Sequence, residues 1–212
     1  MSAETVSTAA LRGKRKMRSL KLLLVLLVCA AVRPAFAGPF EDGLAAYDRD
    51  DYATAVRLWR PLADAGDATA QYNLGFMYRN GRGVPQDNAT AMSWYRKAAE
   101  QGDTMAQNNL GFMYERGQGV PQDNAMAVSW YRKAAEQGEA SGQYNLGIMY
   151  RTGRGVPHDL VQAHMWFNLA ASHTYPADAA VADRDSVAAR MMPSQIAEAQ
   201  RLALEWKPKL ER

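Results

Sequence analysis

Cysteine is almost absent: 212 residues contain one, Cys29. It lies inside the apolar run Leu22–Val32, so the chain beyond that run has no thiol for a disulfide, a nucleophile or a metal ligand. Histidine is nearly as scarce, with His158 in a loop, His164 on a helix and His173 just past its end. No His/Cys/Asp/Glu set has metal-ligand spacing, and no G-x-S-x-G elbow occurs. Neither a cofactor nor a metal is expected. No apolar run reaches the roughly 20 residues needed to cross a bilayer. Basic charge is missing too, once its location is considered. The first 37 residues hold seven of the 25 Lys/Arg and one of the 22 Asp/Glu. The remainder carries 18 basic and 21 acidic side chains, a net charge of −3. No basic stripe is left to suggest nucleic acid.

Those first residues read as an address. Arg12, Lys14, Arg15, Lys16, Arg18 and Lys21 form a basic segment, Leu22–Val32 an apolar one, and Ala35-Phe36-Ala37 a small-residue cleavage site before Gly38. The combination predicts a secretory signal peptide over residues 1–37. Val28 precedes Cys29, where a lipoprotein signal needs a small residue. The mature protein is expected to be periplasmic or secreted after cleavage near Ala37, touching a membrane only during export.

What is abundant is repetition. AQYNLGFMYRNGRGVPQDNATAMSWYRKAAEQGDTM runs from Ala70 to Met105 and returns as AQNNLGFMYERGQGVPQDNAMAVSWYRKAAEQGEAS from Ala106 to Ser141. A third copy opens as GQYNLGIMYRTGRGVPHDLVQAHMWFNLAA. A fixed period of this size marks a repeat architecture. In each copy Leu74, Met77 and Tyr78 share a helical stripe with Ala70. Gly75, a poor helix former, returns as Gly111 and Gly147 and predicts that a neighbour passes too close for a Cβ. Gly81 suits a left-handed helix end, Pro85 stops continuation, and Asp87 is a fitting N-cap for a second helix. That helix turns Ala91, Trp94, Tyr95 and Ala98 inward and Arg96, Lys97 and Glu100 outward. One such hairpin cannot bury both apolar sides, so it needs neighbours. The expected fold is all-α, a right-handed α-solenoid of stacked antiparallel helix pairs. The Gly-x-Gly-Val-Pro loops lack the Lys-Ser/Thr end of a phosphate loop and read as turns.

Before the repeats, two helical segments part at Asp48–Asp51, and Ala55, Leu58, Trp59 and Leu62 fall on one face of the second. After them, Ala177 to Met192 is expected to form a helix packing Val181, Val187 and Met191 on the last hairpin. Pro193 and Ser194 open a final helix with Ile196, Ala199, Leu202, Ala203 and Trp206 inward. Asn168-Leu169 stands where the earlier units have Arg-Lys, which predicts that this end is covered by more chain.

The pattern A-x-x-x-L-G-x-M-Y-x-x-G-x-G-V-P-x-D-x-x-x-A-x-x-W-Y-x-K-A-A-x-x-G resembles the Sel1-like repeat family, relatives of tetratricopeptide repeats. It covers three units, about Ala70 to Ser172. The chain then divides into the leader 1–37, an opening tetratricopeptide-like cap 38–69, repeats 70–105, 106–141 and 142–176, and closing helices 177–212. The resemblance implies a non-catalytic interaction protein that binds a protein or peptide on its concave face, with roles in envelope regulation, surface assembly or host contact. Groove positions carried over from tetratricopeptide repeats are Thr69, Tyr72, Phe76, Arg79 and Asn80 in the first unit. In the second they are Met105, Asn108, Phe112, Glu115 and Arg116, and in the third Ser141, Tyr144, Ile148, Arg151 and Thr152. Aromatics with a changing charge (Arg79, Glu115, Arg151) suit a peptide. Exchanging Arg79 and Glu115 is expected to weaken a partner without harming the fold. Phe76 and Phe112 read equally well as core. A module for cell-wall glycan or a muropeptide is the alternative. Cysteine-rich relatives linked to β-lactam hydrolysis make a hydrolase a third reading, and this chain departs from them in lacking paired cysteines.

Overall fold

Short acidic side chains set the starts of the helices. The computed structural model describes residues 38–174 and 177–209; the expected leader lies outside them. Among the described residues there are ten helices and no strand. They are α1 (Pro39–Tyr47), α2 (Tyr52–Asp64), α3 (Ala68–Asn80), α4 (Asn88–Glu100), α5 (Thr104–Arg116), α6 (Asn124–Glu136), α7 (Ala140–Thr152), α8 (Leu160–Ala170), α9 (Ala177–Ala188) and α10 (Pro193–Glu205). Seven consecutive helices, α2 to α8, begin with an Asp or Glu whose carboxylate accepts a bond from the first turn. Each cap is worth about 1 kcal/mol.

Every helix packs on its successor from α1 to α8, and α5 also touches α7. The structure is therefore a row of pairs: α1–α2, α3–α4, α5–α6 and α7–α8. Within each pair a glycine meets a ring. A Cβ on Gly75 would lie 2.7 Å from the Tyr95 ring, one on Gly111 2.5 Å from Tyr131, and one on Gly147 2.7 Å from Phe167. The expected close neighbour is thus the aromatic side chain of the second helix. Gly43 stands against Trp59 in the same way, so the opening pair is assembled like the units that follow.

The second glycine of each loop joins one pair to the previous one. A Cβ on Gly119 would fall 2.6 Å from the carbonyl oxygen of Asn88, at the start of α4. Gly83 meets Tyr52 at the start of α2, and Gly155 meets Asn124 at the start of α6, equally closely. The loop backbone lies directly on the preceding second helix, and no larger residue fits there.

The closing helices do not pair with each other. Both lie on α8, which covers the end as Asn168 and Leu169 suggested. The register of α9 differs from the expected one. Val181 is exposed, while Ala180 and Val187 are buried, and the helix ends at Ala188 rather than continuing to Met192. Asp183 and Arg184 share the inward face and find partners there. Asp183 accepts from Tyr144 Oη at 2.9 Å and pairs with Arg151, while Arg184 reaches Asn168 at 3.4 Å. Polar pairs thus share the inward face of this helix with Ala180 and Val187. On α10, Ala199 and Ala203 are buried and Trp206 meets Trp166 at 6.3 Å.

Candidate partner-binding surface

The fifteen groove positions all lie on or beside the first helices, α3, α5 and α7, but they do not form one open surface. Thr69, Asn80, Met105, Arg116 and Thr152 are exposed, Met105 at 47%. Ser141 is half-buried. Tyr72 and Tyr144 lie against the rings of Tyr95 and Phe167 at 5.7 and 5.6 Å, and burial raises the Tyr72 phenol above its ordinary value. The middle unit has Asn108 at that place, and its Oδ1 accepts from Asn145 of α7 at 2.9 Å. Phe76, Phe112 and Ile148 are half-buried and pack on the core. Each therefore serves the core and still presents an edge. Asn80 and Thr152 bond back to Phe76 and Ile148 carbonyls of their own helices at 2.8 Å.

The alternating charge has an intramolecular cause. Arg79 donates to Asn109 Oδ1 at 2.6 Å and lies 4.5 Å over the Phe112 ring. Arg151 lies 5.6 Å over Phe167 and pairs with Asp183. Glu115 departs from the open-rim expectation. It is 9% exposed, accepts from Tyr131 Oη at 2.8 Å, and pairs with Arg154 of the next loop at 2.9 Å. Burial, and then the Glu115 charge, push the Tyr131 phenol well up. Glu115 is thus an internal tie between units, and the Arg79/Glu115 exchange would disturb the fold.

A family model for the Sel1 repeat matches residues 38–67, 68–103, 104–139 and 140–175. The chain belongs to the Sel1 repeat family. Among solved structures it is similar to a protective antigen of uropathogenic Escherichia coli with an SLR fold, at 35% identity and a TM-score of 0.67 over 72% of this chain and 32% of that one. It is also similar to a Sel1 repeat protein from Oxalobacter formigenes, at 35% identity and a TM-score of 0.64 over 68% of this chain and 59% of that one. The chain thus spans about a third and about three fifths of these relatives. No curated protein sequence matches it.

Two side-chain ladders between Sel1 units escaped the sequence reading. Gln71, Gln107 and Gln143 are buried and donate to the carbonyls of Ala63, Ala99 and Ala135 at 3.0, 3.1 and 3.4 Å. Gln101 and Gln137 donate in turn to Gln71 and Gln107, both at 2.8 Å. The signal was present, because these glutamines recur with the period. The second ladder runs from each second helix to the next first helix. Arg60, Arg96 and Arg132 donate to the phenol oxygens of Tyr78, Tyr114 and Tyr150, the last two at 2.9 and 3.0 Å. Of the recurring asparagines, Asn109 holds the Met105 carbonyl of its own helix at 2.9 Å. Asn145 instead reaches Asn108.

His164 is buried under α9, and burial lowers its pKa. His158 and His173 are exposed. Among the described residues no group of three His, Cys, Asp or Glu side chains is arranged to hold a metal, and no helix is long and apolar enough to cross a membrane.

Proposed function

We propose that this protein is a non-catalytic interaction scaffold of the bacterial cell envelope, exported by its N-terminal leader, that binds a protein or peptide on the row of first helices. Proteins of the Sel1 repeat family are generally scaffolds for protein interaction. The observation that carries the reading here is local. Met105, Phe112 and Arg116 lie along one face of α5 at helical spacing, with Arg79 of α3 over the same phenylalanine. An exposed methionine, an aromatic edge and two guanidinium groups suit a protein segment. The third unit contributes less, because Tyr144 and Arg151 are engaged by Asp183.

The glycan reading draws no support from the tryptophans, since Trp59, Trp94, Trp130 and Trp166 are all buried. The scaffold reading is tested by crosslinking in cells and mass spectrometry of the periplasmic fraction, comparing the native chain with Arg116→Glu. One protein captured by the native form and lost by the variant supports it. Wall fragments co-purifying in place of a protein, or nitrocefin turnover above buffer background, overturn it.

A further inference from the structure

The charge pairs on the first-helix row leave a remainder. Glu115 is matched by Arg154 and Asp183 by Arg151. Among the described residues no carboxylate lies within 4.0 Å of Arg79, Arg82 or Arg116. Each of the three rests on aromatic rings instead. Arg79 and Arg116 share Phe112 at 4.5 and 5.6 Å, and Arg82 lies 5.3 Å over Phe76, the equivalent residue one unit earlier. Both guanidinium groups bring positive charge to one ring with no carboxylate partner, and the ring face offsets only part of that, about 0.5–1 kcal/mol per contact at an exposed site. A carboxylate brought to either group gains charge-assisted hydrogen bonds. Arg116 is exposed, and Met105 is exposed about three turns earlier on the same helix. A ligand reaching Arg116 can therefore also cover apolar surface.

The chain itself shows what this kind of position accepts. In the third unit the Tyr144–Arg151 pair, equivalent to Tyr72–Arg79, is met by the carboxylate of Asp183 on α9. In the first unit the corresponding partner is the neutral amide of Asn109, so Arg79 keeps its charge uncompensated.

We propose that the Arg79–Phe112–Arg116 cluster docks an acidic segment of a partner protein, its carboxylates on the guanidinium groups and an apolar side chain on Phe112 and Met105. This rests on the scaffold reading for its location and adds the chemistry of the partner. The probe is a short fluorescein-labelled peptide alternating Glu and Leu, followed by anisotropy with the mature chain, beside its Gln/Leu counterpart. Binding of the acidic peptide is expected to weaken at least about tenfold in Arg116→Gln, to persist in Arg116→Lys, and to be unchanged in Arg57→Gln, an exposed residue of α2. Affinity is also expected to fall as salt rises. Arg116→Gln disturbs no hydrogen bond between described residues, so folding does not confound it, and a matching thermal melt verifies this. Equal binding of the Gln/Leu peptide overturns the proposal, as does indifference to Arg116→Gln. Preference for inorganic phosphate or for phosphatidylglycerol vesicles over the peptide overturns it as well. If crosslinking captures a protein lost in Arg116→Glu while the acidic peptide fails to bind, the scaffold reading stands and this inference alone falls.

Discussion

Single residues carry the strain tolerances of this fold. The Gly111 position has no room, since even a Cβ meets the Tyr131 ring at 2.5 Å. Gly111→Leu is expected to cost about 3 kcal/mol or more and to lower the melting midpoint by roughly 10 °C, read by circular dichroism. Glu115 is the second sensitive point. Glu115→Arg places a second cation beside Arg154 and leaves Tyr131 without its acceptor. The expected loss is about 2 kcal/mol in urea unfolding, below the cost of breaking a fully buried pair, because the Arg154 side chain is 41% exposed. Adding Arg154→Glu should recover part of that loss in a double-mutant cycle.

At the scale of the element, α9 combines a small apolar face with polar ties to its neighbours. Only Ala180 and Val187 are buried on it, and Asp183 ties it to Tyr144 and Arg151. Asp183→Ala is expected to speed amide hydrogen exchange throughout α9 while leaving α3 to α6 protected. The same interface carries a pH dependence. His164 of α8 is buried, and its pKa lies below the ordinary histidine value, first through desolvation and then through Arg184, with Asp185 acting the other way. The unfolded chain therefore binds the proton more readily. The stability from neutral His164 is present above about pH 6.5 and is lost as pH falls through the lowered folded value. Unfolding midpoints should decline between pH 7 and 5 in the native chain, and that decline should be smaller in His164→Leu.

Across the whole molecule, stability is a sum of pairs and of junctions between neighbours. Each junction repeats the same parts: a loop glycine on the preceding helix, a glutamine on a carbonyl, and an arginine on a tyrosine. The ladders stop at the third unit. His173 stands where Gln101 and Gln137 stand earlier, and the buried Gln143 Oε1 has no hydrogen-bond partner among the described residues. At that end α10 takes over, laying Trp206 on Trp166 where Lys97 and Lys133 lie 4.3 and 4.4 Å over the earlier tryptophans. A chain ending at Ser172 loses both covers of α8. It is expected to melt earlier than the chain that keeps α9 and α10 and to self-associate, as light scattering would show.

The period alone determined the architecture, because Leu74, Gly75, Tyr78, Gly81, Pro85, Asp87 and Trp94 each state a local rule and state it again 36 residues later. Helix ends, the inward stripes and the need for stacked neighbours all follow from such local rules. The candidate surface was legible only as positions on a helix. Arg79, Glu115 and Arg151 look alike in the repeat frame, yet one lies over a phenylalanine, one is buried under a tyrosine hydroxyl, and one is neutralised by Asp183. Those differences come from residues 30 or more positions away or on the facing helix. The orientation of α9 was likewise misjudged from Val181, because its register depends on partners in other helices. Local sequence specifies which face of a helix is apolar; only the packed chain decides which of its charges remain uncompensated, since compensation is a matter of distance in space.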